Sequence, residues 1–303
     1  MYLVADRNGK TEEENSLQDK LLRWMYGHLL GRCLLKPLIM PGVSRLGGKL
    51  LDLRMSRVLV APFVHRLSID MTDYEQKEYV SYNDFFKRRL RPGARQIENA
   101  PEILVSPCDS RLSVYKVGSE STFKVKHTSY TLSTLLRDWW LADQYAGGYV
   151  WIFRLRVDDC HRYIYVDCGK ESKRRVIPGV FHTVNPAAGD RFPIYKENTR
   201  EYSVLKSENF GEILQMEVGA LLVGQIENHR VSDTVKRGQE KGSFAFGGST
   251  IILMTRKGRV CPDQDILENS AKGIETRVKL GERVGIKNFE KPFLDKSRFH
   301  AYN

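Results

Sequence analysis

The chain has 303 residues, of which 41% are hydrophobic, and this is enough to bury one sizeable core or two small ones. Its five cysteines include no Cys-x-x-Cys pair, which argues against a disulfide framework or a structural zinc site and favours a reducing, cytoplasmic setting. No stretch approaches the roughly 18 apolar residues that a membrane-spanning helix needs, and the N-terminus does not resemble a signal peptide. We therefore expect a soluble or peripheral protein, and its net charge of +11 favours an anionic partner.

The first part of the chain, residues 1–95, is predicted to be mainly helical. Apolar residues recur at helical spacing from Leu17 until Pro37 interrupts the pattern. Two further helices are predicted over 46–57 and 82–90.

The charge of this helical part indicates its partner. Residues 20–66 contain nine basic side chains and a single acid, Asp52, interleaved with apolar residues. This mixture favours attachment to an anionic lipid surface. No recognised nucleic-acid motif or stacking-aromatic signature accompanies the charge, so a nucleic-acid partner is not expected.

After residue 95 the pattern changes to short β-type runs separated by turn residues, with one inserted helix predicted over 133–140. The predicted strands are 112–117, 149–155, 213–218, 220–226 and 250–255. We therefore predict an α+β protein with two parts: a helical, membrane-associating region at 1–95 and a predominantly β core at 96–303.

One short segment of this core indicates chemistry. Ser249 follows Gly247 and Gly248, and glycine allows strained backbone torsions that other residues resist. The serine hydroxyl could attack the Gly248 carbonyl, and elimination of the resulting ester followed by hydrolysis would leave a pyruvoyl group at position 249. An ordinary hairpin turn is the alternative explanation for the same residues.

Several motifs surround this segment in a fixed order over residues 75–287. They are Tyr82-Asn83-Asp84-Phe85-Phe86-Lys87-Arg88-Arg89-Leu90 with Gly93-Ala94-Arg95, Ser106-Pro107-Cys108-Asp109-Ser110, Tyr130-Thr131-Leu132, Asp158-Asp159-Cys160-His161-Arg162, Thr183-Val184-Asn185-Pro186, Asn198-Thr199-Arg200-Glu201, Val218-Gly219-Ala220 and Gly273-Ile274-Glu275-Thr276. Together with Gly247-Gly248-Ser249-Thr250, they resemble the phosphatidylserine decarboxylase family of pyruvoyl enzymes.

The resemblance implies a zymogen that cuts itself between Gly248 and Ser249, giving a β chain of residues 1–248 and an α chain of residues 249–303. It implies a carboxy-lyase of phospholipid biosynthesis that forms phosphatidylethanolamine and CO2 through a Schiff base on the self-generated, covalent pyruvoyl group, without a metal. Phosphatidylserine in anionic membranes is the implied partner. The implied assembly is a homodimer of processed protomers, attached peripherally at the cytoplasmic face of the cell membrane.

The same resemblance assigns candidate site residues. Asp109 would orient the base for self-cleavage, and His161 would act in catalysis or contact the substrate; the alternative for His161 is a core histidine bonded to a backbone carbonyl. Many relatives carry a second histidine where Ile164 stands here, and our hypothesis is that His182 supplies the lost imidazole. His127 is a weaker substrate-binding candidate.

The loss at Ile164 also leaves a second functional interpretation open. The chain could be an unprocessed, non-catalytic paralogue that only binds anionic lipid. The retention of Ser249, Asp109 and His161 argues against this alternative.

Overall fold

A computed structural model describes residues 2–14, 17–125, 128–184, 194–220, 226–229, 233–245 and 249–289. The helices in these ranges are α1 (Leu17–Gly27), α2 (Leu29–Leu38), α3 (Pro41–Asp52), α4 (Val60–Leu67), α5 (Tyr82–Phe86), α6 (Leu132–Leu136), α7 (Trp139–Asp143), α8 (Ile194–Glu197) and α9 (Gln264–Ala271). Two 3-10 helices span Arg54–Leu59 and Met71–Asp73.

Most of the remaining described elements are strands. They are β1 (Tyr2–Ala5), β2 (Thr11–Glu14), β3 (Ile103–Val105), β4 (Ser110–Lys116), β5 (Thr122–Val125), β6 (Thr128–Thr131), β7 (Tyr149–Leu155), β8 (Arg162–Ile164), β9 (Gly169–Glu171), β10 (Arg175–Ile177), β11 (Arg200–Ser207), β12 (Gly211–Val218), β13 (Ile226–Asn228), β14 (Thr234–Val235), β15 (Glu240–Phe244), β16 (Ser249–Thr255), β17 (Val260–Pro262), β18 (Glu275–Val278) and β19 (Arg283–Lys287). The predicted α+β class is therefore confirmed.

An eleven-stranded sheet forms the centre of the molecule, in the order β14-β9-β11-β12-β16-β7-β4-β18-β1-β2, with β10 also pairing with β11. Two three-stranded sheets, β13-β15-β8 and β17-β19-β3, and the hairpin β5-β6 accompany it. Strand β16 lies between β12 and β7 and pairs antiparallel with both.

The two faces of the large sheet bury different hydrophobic clusters. Alternate side chains of a strand point to opposite faces, so Ile251 and Leu253 join one cluster and Ile252 and Met254 join the other. Tyr163 of β8 and Phe244 of β15 belong to the first cluster, which places the β13-β15-β8 sheet against that face. Ser249 has the same alternation as Ile251 and so belongs to this covered face.

Residues 2–14 form strands within the segment that the sequence predicts to be mainly helical. β1 and β2 form an antiparallel hairpin, and β1 pairs in parallel with β18 through Val4–Glu275 and Ala5–Thr276. Val4 and Ala5 are buried in this arrangement. The hairpin thus extends the large sheet of the core.

The predicted helix over 133–140 is divided into two short helices, α6 and α7. Arg137 ends α6 in the left-handed region with φ = 50°, and the carboxylate of Asp138 accepts a hydrogen bond from Leu141 N at 3.0 Å. The amides in the first turn of a helix have no partner within the helix, and the Asp138 side chain supplies one. A new helix can therefore begin at this point.

Among the side chains that the structure describes in the helical region from α1 to α4, a small apolar cluster of Leu22, Met25, Tyr26 and Leu35 is buried. Many of its other large apolar side chains are exposed, among them Leu21, Leu29, Leu30, Leu34, Met40, Leu46, Leu50, Met55 and Val58. Within the described ranges, every helix is too short or too polar to cross a bilayer.

Candidate active site

Ser249 is the first residue of β16 and stands opposite Leu155, the last residue of β7. It is fully buried, and its hydroxyl Oγ has no hydrogen-bond partner among the described residues. Most buried hydroxyl groups form a hydrogen bond within the fold. The Ser249 hydroxyl forms none with a described residue, so it does not stabilise the fold by hydrogen bonding. Gly247 and Gly248, and with them the predicted scissile bond, lie outside the described residues.

Strand β8 follows β7 in the chain and β16 follows β15, and the two pairs of strands meet at this end of the sheet. Residues 156–161 lead from β7 to β8, and residues 245–248 lead from β15 to β16. β7 pairs with β16 while β8 pairs with β15, and Phe244 N donates to the His161 carbonyl at 2.9 Å. His161 directly precedes β8 and Ser249 begins β16, so both residues lie at this end of the sheet.

His161 is fully buried, and its surroundings define which ring nitrogen is basic. Nδ1 lies 3.1 Å from the carbonyl oxygen of Asp159, and the ring centroid lies 4.0 Å from that of Phe86. Because a carbonyl only accepts, Nδ1 carries the hydrogen of the neutral ring and Nε2 is the nitrogen that can take up a proton. The backbone carbonyl contact expected of a core histidine is present, and it is compatible with a catalytic Nε2.

Arg88 supports the connection that carries His161. Its Nη2 donates to the carbonyls of Asp158 and Asp159 at 2.5 and 2.9 Å. The guanidinium is fully buried and lies 4.5 Å from the Tyr74 ring centroid. Its Nε and Nη1 have no hydrogen-bond partner among the described residues, so aromatic contact and two carbonyls hold this cation.

We expect Arg88→Met to lower the free energy of unfolding by about 2–3 kcal/mol, since it removes hydrogen bonds from a charged donor and leaves two carbonyls unsatisfied. Urea unfolding measures this change. Arg89→Met is the matched control, because Arg89 is the exposed neighbour and its loss should change the free energy by less than about 0.5 kcal/mol. Equal effects of the two substitutions would contradict the supporting role of Arg88.

Asp109 is buried, and its carboxylate is held by a second arginine. Arg95 Nε and Nη2 donate to its two oxygens at 3.0 and 2.7 Å, and Leu280 N donates at 2.7 Å. The described hydrogen bonds of Asp109 thus come from a guanidinium and a backbone amide. Its predicted role in orienting the cleavage base stays a prediction.

Ile164 adjoins the loop that carries Asp109. It is the last residue of β8, and its N–H donates to the Pro107 carbonyl at 3.0 Å. Ile164 stands where the family resemblance implies a histidine. Its backbone is therefore hydrogen-bonded to a residue two places before Asp109.

His182 reaches the same end of the sheet from the other side of β16. Asn198 Nδ2 donates to the carbonyls of His182 and Gly219 at 2.7 and 2.8 Å, and Asn198 Oδ1 accepts from His182 N. Gly219 directly follows β12, whose last residue pairs with Thr250. The backbone of His182 is therefore bridged by one side chain to the strand that flanks Ser249.

The imidazole of His182 has a hydroxyl on one side and a carboxylate on the other. Nδ1 lies 3.3 Å from Tyr26 Oη, and Nε2 lies 3.4 Å from Glu197 Oε2. Tyr26 Oη accepts from Thr183 N at 2.9 Å, so its own hydrogen is available to Nδ1. Burial lowers the pKa of His182 below 6.5 although Glu197 opposes this shift, so the ring is neutral at pH 7.

The remaining candidates add little to the site. His127 lies outside the described residues. Burial raises the pKa of the Cys108 thiol well above its usual value and that of Cys160 to about 11, so neither is a thiolate near neutral pH. Within the part of the chain that the structure describes, no group of His, Cys, Asp and Glu is arranged to hold a metal ion.

An ion-pair network connects the N-terminal hairpin to this end of the sheet. Glu14 Oε1 of β2 lies 2.7 Å from Arg156 Nη1 and 3.3 Å from Arg111 Nη2. Arg111 Nη1 also donates to both oxygens of Asp159, each at 2.7 Å. Because Glu14 and Asp159 are far apart along the chain, no local pattern in the sequence indicates that Glu14 belongs to this network.

Comparison with known proteins identifies the class first. A family model described as phosphatidylserine decarboxylase matches residues 82–286, which include Asp109, His161, His182 and Ser249. The protein is an enzyme of the carboxy-lyase class.

Curated relatives extend the match to most of the chain. Phosphatidylserine decarboxylase proenzyme 2 of Clostridium acetobutylicum is 44% identical over 276 residues, covering 91% of this chain and 94% of that protein. Phosphatidylserine decarboxylase proenzymes of Ruminiclostridium cellulolyticum and Fusobacterium nucleatum are 39% and 35% identical, each covering 93% of this chain and 97% and 96% of their own length. The chain belongs to the phosphatidylserine decarboxylase family.

Proposed function

We propose that the chain is a phosphatidylserine decarboxylase proenzyme that cuts itself between Gly248 and Ser249 and then converts phosphatidylserine into phosphatidylethanolamine and CO2. The observation that carries the proposal is the Ser249 hydroxyl, which is fully buried, has no described hydrogen-bond partner and begins a central strand directly after two glycines. The names of the relatives support the same activity.

The cleavage is a rearrangement that needs no outside reactant until its last step. Ser249 Oγ loses its proton to a base and bonds to the Gly248 carbonyl carbon, while the bond from that carbon to the Ser249 nitrogen breaks. A base then removes the Cα proton of residue 249 as the Cβ–Oγ bond of the ester breaks, giving a carboxylate at Gly248 and dehydroalanine at 249. Water hydrolyses the dehydroalanine, releasing ammonia and leaving a pyruvoyl group.

The two buried histidines divide the proton transfers between them. We assign His182 as the base that accepts the proton of Ser249 Oγ, because its imidazole is neutral and Glu197 lies where it can stabilise the protonated form. His161 Nε2 is assigned to proton delivery during decarboxylation, since His161 lies at the same end of the sheet as Ser249 and its ring is fixed by Phe86 and the Asp159 carbonyl. Arg88 holds that carbonyl in place.

The cofactor of the mature enzyme fits this position. A pyruvoyl group at residue 249 supplies an electrophilic carbonyl that withdraws electrons as CO2 leaves. Ser249 and Thr250 are fully buried, which restricts the access of water to the start of β16. The site needs no metal for this chemistry.

The helical region is proposed to attach the enzyme to anionic membranes as a peripheral protein. Its exposed leucines and methionines alternate with exposed cations such as Arg32, Lys36 and Lys49. Burial of the apolar side chains in the interface and attraction of the cations to lipid headgroups act together.

Binding to vesicles that contain phosphatidylserine should weaken as salt is added, because salt screens the cations. In Arg32→Gln and Lys36→Gln variants, affinity should fall roughly fivefold for each charge removed, as expected from about 1 kcal/mol per surface cation. Sedimentation with phosphatidylcholine vesicles is the control. Salt-independent binding to anionic vesicles would contradict this attachment.

The experiment that tests the proposed function compares the intact masses of the purified chain and its Ser249→Ala variant. The proposal expects fragments of residues 1–248 and 249–303, the second starting with a pyruvoyl group. An uncut wild-type chain that binds anionic lipid without decarboxylating it would instead support the non-catalytic paralogue.

A further inference from the structure

Two adjacent tryptophans on α7 are largely exposed. Trp139 and Trp140 are 72% and 67% exposed, and their rings pack edge to face with centroids 5.7 Å apart. Val176 on the edge strand β10 is also 62% exposed. Large apolar side chains clustered at a surface mark a contact with another molecule.

Arg175 connects α7 to β10, which makes these residues one surface. Its Nη1 lies 2.8 Å from Asp138 Oδ2, and its Nη2 donates to the Arg137 carbonyl at 3.1 Å. We call the surface of Trp139, Trp140 and Val176, together with the exposed cations Arg137, Lys173 and Arg175, the tryptophan patch. The segments 137–143 and 170–176 that carry it contain five basic and three acidic residues.

The tryptophan patch lies beside the end of the sheet that carries Ser249. Val176 pairs with Glu201, Glu201 with Glu217, and Glu217 with Ile251. These three steps between strands span about 14 Å at about 4.8 Å each. Ile251 is two residues from Ser249, so Val176 of the patch lies three strands away at the same end of the sheet as the candidate nucleophile.

The patch is also close to the helical region. Five residues after Val176, Phe181 N donates to the Ile39 carbonyl at the end of α2 at 3.0 Å. A stretch of five residues spans at most about 17 Å. The exposed apolar side chains of α2 and the tryptophan patch are therefore near one another on the surface.

We propose that the tryptophan patch is a second membrane contact, located on the catalytic core, that holds the Ser249 end of the sheet against an anionic bilayer. The inference rests on the proposed function, since it supplies the lipid surface that the site needs. Tryptophan prefers the boundary between headgroups and acyl chains, and cations beside it are attracted to anionic headgroups. If the helical region were the only attachment, it would hold the core near the membrane but would not fix the orientation of the core relative to the bilayer.

A second copy of the chain fits this surface less well. In a two-fold contact each patch would face itself, which would bring Arg137, Lys173 and Arg175 against the same cations of the partner. Like charges opposed across an interface disfavour it. The net positive charge thus favours a negatively charged lipid surface.

The test uses the double variant Trp139→Ala, Trp140→Ala with mixed phosphatidylcholine and phosphatidylserine vesicles. We expect its affinity to fall about tenfold or more, because two large apolar side chains no longer enter the interface. Phe289→Ala is the matched control, since Phe289 is an equally exposed aromatic residue that follows β19, and its affinity should be unchanged. An unchanged affinity of the double variant would overturn the proposal.

A second measurement does not depend on removing the tryptophans. In a Trp24→Phe variant the emission of Trp139 and Trp140 is followed as vesicles with brominated acyl chains are added, and Trp151 is buried and contributes a constant background. The proposal expects quenching of the exposed tryptophans. Emission that stays constant while the protein co-sediments with the vesicles would overturn it.

The two proposals fail in different ways. With dispersed short-chain phosphatidylserine, the double variant should be cut and should decarboxylate at the wild-type rate if the proposed function is right. If neither protein is cut or active, the proposed function fails, whereas vesicle affinity and quenching still decide the membrane contact. A double variant that changes only its oligomeric state, measured by light scattering, would identify the patch as a contact between copies and overturn the proposal.

Discussion

Replacement of Ser249 by alanine should abolish self-cleavage completely. The variant should give one species with the mass of the uncut chain, whereas the wild-type protein gives fragments 1–248 and 249–303. Alanine has no hydroxyl to attack the Gly248 carbonyl, and at this fully buried position it only removes one oxygen atom that has no described partner. The fold should therefore be retained, and phosphatidylserine decarboxylation should be undetectable.

Thr250→Val is the matched control for this substitution. Thr250 is the adjacent residue, it is equally buried, and its hydroxyl also lacks a hydrogen-bond partner among the described residues. Valine keeps its shape, so we expect this variant to be cut. A Ser249→Ala chain that is still divided at the same bond would disprove the role of the Ser249 hydroxyl.

Replacement of His182 by alanine should slow self-cleavage by about 10²–10⁴-fold, the usual contribution of a positioned general base. The neutral imidazole is the form that accepts a proton, so the cleavage rate falls as pH drops through the pKa of His182. Burial lowers that pKa below 6.5, and cleavage should therefore persist below pH 6.5 before it declines. A time course of fragment formation on gels at several pH values measures both effects.

His161→Ala provides the comparison for His182→Ala. We expect its chain to be cut but to decarboxylate poorly, because its Nε2 is assigned to the later proton transfer. Adding Ile164→His to His182→Ala should restore part of the cleavage, since that position is bonded to the Asp109 loop through Pro107. Wild-type cleavage in His182→Ala would reject the hypothesis that His182 replaces the missing histidine.

The sequence predicts the central strands well because their local pattern is decisive. The strand predicted over 149–155 coincides with β7, and that predicted over 250–255 differs from β16 by one residue. Both are apolar runs that a sheet covered on two faces requires. The strand predicted over 220–226 falls mostly on residues outside the described ranges.

The N-terminal hairpin shows where local patterns are insufficient. β2 consists of Thr11 and three glutamates, which no period-two apolar pattern would identify as a strand. Its stability depends on β1, which pairs with residues about 270 positions away in β18. A pairing between segments so far apart in the chain cannot be predicted from the residue pattern of either segment alone.

The sequence predicts which residues belong to the candidate site, but it does not predict the contacts that hold them. The family motifs identified Ser249, Asp109 and His161, whereas the groups that hold the site come from distant segments. Tyr26 contacts His182 from α1, and Arg95 binds Asp109 from the segment that precedes β3. Arg95 stands in the motif Gly93-Ala94-Arg95, and this was the one available signal for its role.

The sheet order has a consequence for the fate of the cut protein. The segment after residue 248 supplies β16 between β12 and β7, β18 between β4 and β1, and β19 between β17 and β3. Cleavage after residue 248 would therefore leave the small piece within two sheets, with β16 and β18 each hydrogen-bonded on both sides to strands of the large piece and β19 hydrogen-bonded to it through β3. The two pieces should co-purify as a single particle and separate only when the whole molecule is denatured. Self-cleavage would therefore change the covalent chain without dissociating the folded enzyme.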